Sequence, residues 1–132
     1  MDPASASQLC GWLDFHEMAH QPSDQMHCTL LYSTRPVHEL KQFNGLAVNV
    51  GATPIEWRIL GENSLVLLLD FPEAERINKI MMNTGATSDY PTYLCHLTVD
   101  PEYHGPAFMP MLLPHFKLVF DRVVVEDIEE DR

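Results

Sequence analysis

Two short strings carry the chemistry of this chain, His27-Cys28-Thr29-Leu30 and His96-Leu97-Thr98-Val99. Each sets a threonine two residues after a histidine. In a β-strand, side chains at i and i+2 share a face, so His27 and Thr29 point one way and Met26, Cys28 and Leu30 the other. In the second string His96 and Thr98 point away from Cys95, Leu97 and Val99 in the same manner. A core claims the apolar face of each strand, which leaves two His/Thr pairs to line a cleft.

That set suits phosphodiester chemistry with no metal. A neutral imidazole takes a proton from an attacking hydroxyl, and a protonated one donates a proton to the leaving oxygen. The ordinary histidine pKa of about 6.5 makes both forms accessible near neutral pH. The threonine hydroxyls can donate hydrogen bonds to phosphate oxygens as charge grows on them. One His-x-Thr is a common accident. Two, each in a strand context with its apolar face opposite, are the feature that singles out this sequence.

The segments that must position these motifs read as an α+β mixture. Residues 1–8 are small and polar and are expected as a flexible end, and residues 9–20 fit a short strand or a helix equally. Residues 26–33 read as a strand, and residues 36–43 as a short helix opened by proline. Leu46, Val48 and Val50 alternate with smaller or polar residues, as do Ile55, Trp57 and Ile59 past Gly51 and Pro54. These are two strands, or one strand continuing past a bulge. The unbroken run Ser64-Leu-Val-Leu-Leu-Leu-Asp70 predicts a central strand covered on both faces. Ala74, Ile77, Ile80 and Met81 give the next segment a helical apolar face, with Pro72 at its start and Glu73 and Glu75 in its first turn. Residues 93–99 and 116–128 read as strands, residues 100–115 as a proline-rich loop and residues 127–132 as an acidic tail.

Composition narrows the setting. The 132 residues suit a single domain, 1–132, with 45% hydrophobic and 20% charged residues. Nineteen acidic against eight basic residues leave a formal net charge of −11, which argues against binding duplex nucleic acid or long RNA. It leaves room for a small nucleotide in a pocket. The sequence contains no run of 18 apolar residues, so no membrane span is expected. Three widely spaced cysteines, Cys10, Cys28 and Cys95, form no metal clip or disulfide framework and fit a reducing cytoplasm.

His16-Glu17-Met18-Ala19-His20 spells the H-E-x-x-H zinc motif literally. Pro22 follows too soon for a long helix, and no third ligand stands at the expected spacing, so an exposed surface is the better reading and no metal is expected. His38, His104 and His115 lie in or beside proline-containing segments and read as surface residues.

Paired H-x-T motifs, one in each half, resemble those of the two-histidine (2H) phosphoesterase superfamily. Longer strings sharpen the likeness: His27-Cys-Thr-Leu-Leu-Tyr-Ser33, Leu65-Val-Leu-Leu-Leu-Asp70, Gly85-Ala-Thr, Tyr90-Pro-Thr-Tyr-Leu-Cys-His-Leu-Thr98 and Leu118-Val-Phe-Asp-Arg122. Together, across residues 26–128, they look like the phage anti-CBASS nuclease branch. The resemblance implies a two-lobed fold, with pseudo-twofold antiparallel sheets around a central groove and helices on the flanks. It implies metal-independent, cofactor-free cleavage of cyclic di- and trinucleotide messengers, which bacteria make to trigger abortive defence. For a phage-encoded protein, the host cytoplasm is the implied place of action.

Carried over by position, the resemblance makes His27 and His96 the acid/base pair and Thr29 and Thr98 the phosphate holders. Trp57 falls where the family stacks an aromatic on a base, but it shares a face with Ile55 and Ile59 and is equally readable as core. Tyr93 either contacts the ligand or simply opens the strand. Glu126 either reads an adenine edge or belongs to the solvated acidic end. Few bases lie near either motif, Arg35 being the closest, so phosphate charge falls to histidines, hydroxyls and backbone N–H groups. Two neighbouring functions are a phosphodiesterase on linear 2′–5′ oligonucleotides or 2′,3′-cyclic ends, and a sponge that binds messengers without cutting them. A sponge has no need of two titratable histidines.

Overall fold

The computed structural model of the chain describes residues 1–31, 38–83, 93–104 and 112–125. The elements are α1 (Pro3–Phe15), β1 (Ala47–Leu60), β2 (Ser64–Asp70), α2 (Pro72–Met82), β3 (His96–Asp100) and β4 (Leu118–Arg122), with 3-10 turns at Ser23–Gln25 and His38–Phe43. The α+β class is as expected. All strand pairings are antiparallel, in the order β3-β2-β1-β4. No helix among the described residues is long and apolar enough to cross a membrane.

The N-terminal end departs from expectation, because residues 3–8 are built into α1 and Asp2 caps it. Asp2 caps the helix by accepting from the Ser5 N–H at 3.2 Å, and Pro3 opens it. The end also docks on β4. The Asp2 N–H donates to the Val119 carbonyl, and the Val119 N–H donates to the Ser5 hydroxyl, each at 2.8 Å. Ser5, Ala6, Leu9 and Leu13 form the buried stripe, half of it too small or too polar to announce itself in the sequence.

β1 is one continuous strand that serves two neighbours. Ala47 to Ala52 pairs with β4, and Thr53 to Leu60 pairs with β2. The register slips between Pro54 and Glu56, so Ile55 is the extra residue of a bulge and lies exposed. Proline has no N–H for the ladder, which favours a slip there. The bulge resets the alternation: Ala52 and Pro54 face inward before it, and Trp57 after it. Gly61, at φ +62°, turns the chain into β2 in a conformation that glycine adopts without strain. β2 is interior, and Leu65 to Leu69 are all buried, as the unbroken apolar run predicts.

α2 begins at Pro72 and buries Ala74, Ile77, Asn78 and Met81. Ile80, expected on that face, points to solvent, and Asn78 takes the inward position. The main core joins Leu9 and Leu13 of α1, Trp57, Leu65, Leu67, Leu97 and Val99 of the sheet, Met26 and Phe71. A second cluster under α2 holds Ile77, Met81 and Val123.

Candidate functional site

The two His-x-Thr motifs lie side by side. Cys28 forms an antiparallel bridge with Leu97 on the outer edge of β3. One step either way from that pair sets His27 opposite Thr98 and Thr29 opposite His96. Opposed side chains share a face, with Cβ atoms about 4.5–5.5 Å apart. The local twofold axis of an antiparallel pair carries His27 onto His96 and Thr29 onto Thr98. Leu97 is fully buried and Cys28 half-buried on the core side. His27 and Thr29 are exposed, and His96 and Thr98 half-buried, on the other side.

Both imidazoles are held in the same way. His27 Nδ1 lies 2.9 Å from the Gln25 carbonyl, and His96 Nδ1 lies 2.9 Å from the Leu94 carbonyl. A carbonyl oxygen only accepts, so Nδ1 carries the proton in each ring. Nε2 is then the nitrogen left to take up or give a proton.

The backbones of the motifs are tied by reciprocal bonds between the two halves of the chain. The Tyr93 hydroxyl donates to the Thr29 carbonyl at 2.9 Å, and the Gln21 side-chain amide donates to the Thr98 carbonyl at 2.6 Å. Gln21 also donates its own N–H to the Val99 carbonyl at 2.8 Å. Asn78 Nδ2 secures Leu30, next to the first motif, at 2.6 Å. Burial and the neighbouring Cys28 sulfur push the Tyr93 phenol well above its ordinary pKa, so it serves as a neutral donor. Neither Gln21 nor Asn78 was singled out by sequence. Gln21 sits in an unpatterned stretch, whereas Asn78 has a signal, a polar residue at an apolar position of a helical period.

The pairing register extends the motif face inward across the sheet. His96 is opposite Leu68 and Thr98 opposite Val66 on β2; Leu68 is opposite Glu56 and Val66 opposite Arg58 on β1. Arg58 therefore shares a row with His27 and Thr98, and Glu56 a row with Thr29 and His96, with the buried Val66 and Leu68 between. The Arg58 guanidinium donates to the Glu56 carboxylate from Nε at 2.9 Å and from Nη2 at 2.6 Å. Sequence spacing alone could not bring Arg58 to this face, because the bulge decides which β1 residues point there.

The remaining candidates fall elsewhere. Trp57 is 3% exposed, lies nearly parallel to Trp12 at 6.4 Å and donates its indole N–H to the Leu112 carbonyl at 2.9 Å. It is a core residue on the face opposite the motifs. Tyr93 is a strut between the motif segments, as described. Glu126 and Arg35 lie outside the described residues. In the H-E-x-x-H string, α1 ends at Phe15 and Glu17 takes φ 56°, so His16 and His20 do not share a helical face. His20 Nδ1 meets the Gln21 carbonyl and Nε2 meets Asp14 Oδ1, each at 2.7 Å. Both partners are acceptors, which the imidazolium satisfies. Burial opposes its charge, but the Gln21 carbonyl and Asp14 outweigh burial and raise the pKa.

Compared with known proteins, the chain matches over residues 1–132 the family model described as anti-CBASS protein Acb1. No curated protein matches it.

Proposed function

The chain belongs to the Acb1 family of anti-CBASS proteins, and from that premise we propose that it is a metal-independent phosphodiesterase of the 2H type that linearises cyclic di- and trinucleotide messengers. Encoded by a phage, it would act inside the host bacterium to silence the defence signal. The observation that carries this reading is the matched pair of histidines, each with Nδ1 occupied by a carbonyl, on either side of the Cys28–Leu97 pair. Two imidazoles related by a local twofold axis, each with Nε2 available, are what an acid/base pair requires.

In this reading one Nε2, neutral, takes the proton from the ribose 2′-hydroxyl next to the scissile 3′-phosphate. The oxygen attacks phosphorus in line, and the other histidine, protonated, gives its Nε2 proton to the departing 5′-oxygen. The product is a 2′,3′-cyclic end that water then opens by the reverse proton traffic. Thr29 and Thr98 donate to the non-bridging oxygens as charge develops. Holding the hydroxyl in line matters as much as the proton transfers, and Tyr93, Gln21 and Asn78 serve that end by fixing the motif backbones. Arg58 offers a guanidinium on the same face, its charge balanced by Glu56 until an anionic ligand competes for it.

The test is a panel of cyclic di- and trinucleotides, linear 2′–5′ oligonucleotides and 2′,3′-cyclic mononucleotides, incubated in excess chelator with products separated by chromatography. Conversion of a cyclic di- or trinucleotide to a linear product is expected. Binding without conversion of any substrate would replace the enzyme by a sponge.

A further inference from the structure

We propose that Cys28 and Cys95 form a thiol–disulfide modification site, which a peroxide closes into an intramolecular bond beneath the two His-x-Thr motifs. The two sulfurs lie 3.1 Å apart. Cys28 is the middle residue of the first motif, and Cys95 immediately precedes the second. The contact joins the motif segments from the core side, 67 residues apart in sequence. A disulfide bond is about 2.05 Å long, so closure needs an approach of about 1 Å.

Cys28 is also reachable. A cavity of about 40 Å³ opens between α2 and the β1–β4 edge, with Cys28, Leu30, Phe71, Ala74 and Phe120 in its lining and Glu73 and Arg122 among its polar groups. That is room for a molecule the size of hydrogen peroxide. The Cys28 sulfur faces the Cys95 thiol at 3.1 Å and the Tyr93 hydroxyl at 3.7 Å. Hydrogen bonding from Cys95 outweighs burial and holds the Cys28 thiol below its ordinary pKa, while the same contact and burial push Cys95 up. Cys28 lines the cavity and Cys95 does not, so Cys28 is the attacking thiol and Cys95 the resolving one. The 3.1 Å contact joins Cys28 to Cys95, so Cys10 on α1, whose thiol burial and Asp14 raise, is the one left over.

The chemistry balances. The Cys28 thiolate attacks one peroxide oxygen, breaking the O–O bond to give a sulfenic acid and hydroxide, which takes up the proton first lost from Cys28 and becomes water. The Cys95 sulfur attacks the sulfenic sulfur. The S–S bond forms and the S–O bond breaks, and the expelled hydroxide leaves as water with the Cys95 proton. Two thiols and one peroxide become one disulfide and two waters, with two electrons passing from sulfur to peroxide. An external dithiol reverses the bond by exchange.

Drawing the segments together shifts the backbone that carries both histidines, and a misplacement of about 1 Å can cost on the order of 100-fold in rate. The oxidised chain is expected to turn over at least about tenfold more slowly, with full recovery in dithiothreitol. This loss rests on the cleavage reading, whereas the bond does not.

The experiment treats the reduced full-length chain with hydrogen peroxide, then measures intact mass, alkylatable thiols and the non-reducing peptide map, with turnover in parallel. The expected result is the loss of two hydrogens, one remaining thiol at Cys10, a linked Cys28/Cys95 peptide pair and an unchanged circular dichroism spectrum, all reversed by dithiothreitol. Cys28→Ser should leave Cys95 alkylatable under the same treatment. Three surviving thiols, a sulfinic acid at Cys28 with Cys95 still free, or a bond through Cys10 would each overturn the site. A bond that forms with turnover undiminished would overturn the link to catalysis. If the bond forms in a chain that never cleaves, the cleavage reading fails and the modification site stands.

Discussion

His27 and His96 are matched across the Cys28–Leu97 bridge: each directs Nδ1 to the carbonyl two residues upstream, at the same 2.9 Å. The match fixes the tautomer of both rings with backbone groups alone. In the cleavage reading proposed above, this matched tautomer lets either ring serve as base or acid, and the direction in which the nucleotide binds would decide between them.

The threonines should matter less than the histidines. Thr29→Val and Thr98→Val each remove a hydroxyl proposed to bond a charged phosphate, an interaction worth about 1.5–3 kcal/mol. Turnover should fall about 10- to 150-fold in each, with the melting temperature nearly unchanged. Steady-state kinetics on both variants checks this; a wild-type rate would remove the phosphate-holding role.

Arg58 should govern affinity for an anionic ligand. Arg58→Ala is expected to raise KM while kcat falls little, and the difference from wild type should shrink as salt rises. Glu56→Gln, which releases the guanidinium from its carboxylate partner, should lower KM. A salt titration of KM for the three proteins reads the effect directly.

The His20–Asp14 pair predicts a pH dependence of stability. The folded pKa of His20 lies above the unfolded value of 6.5. Its contribution is therefore fully present below about pH 6.5 and is lost as pH rises through the folded value. The urea midpoint of wild type should exceed that of His20→Gln at acidic pH, and the gap should narrow toward pH 9. A gap that is flat or widens with pH would contradict the imidazolium assignment.

Trp57→Ala should act through folding. Truncating a buried tryptophan costs about 3–5 kcal/mol. Denaturant unfolding is expected to show that loss, while any chain that remains folded should bind nucleotide with little change.

Much of this arrangement was legible because its signals are local. The His-x-Thr strand β3, the apolar run of β2 and the Pro72 start of α2 each follow from one residue period or one cap, whereas the strand expected over 26–33 is reduced among the described residues to the single Cys28–Leu97 bridge. α1 was not legible, since its buried stripe begins with Ser5 and Ala6 and its cap acts together with a dock on Val119. Ile80 and Asn78 exchanged places because tertiary contact with the Leu30 carbonyl outweighs hydrophobicity. Trp57 could be read as core or as ligand platform until the bulge at Ile55 fixed its face. Contacts that join the two halves, Tyr93 to Thr29, Gln21 to Thr98 and Cys28 to Cys95, have no sequence period and emerge only once the strands pair.

The most direct test is single-turnover cleavage of a cyclic dinucleotide in excess EDTA by wild type, His27→Ala and His96→Ala, with folding followed by circular dichroism. Wild type should cleave without added metal. Each variant should remain folded and lose about 10²- to 10⁴-fold in rate, the size of a lost general acid or base. The double variant should be little worse than either, since the two rings act as a unit. Near-wild-type cleavage by either folded variant, or wild-type cleavage that stops in EDTA and returns with a divalent metal, would contradict the two-histidine account.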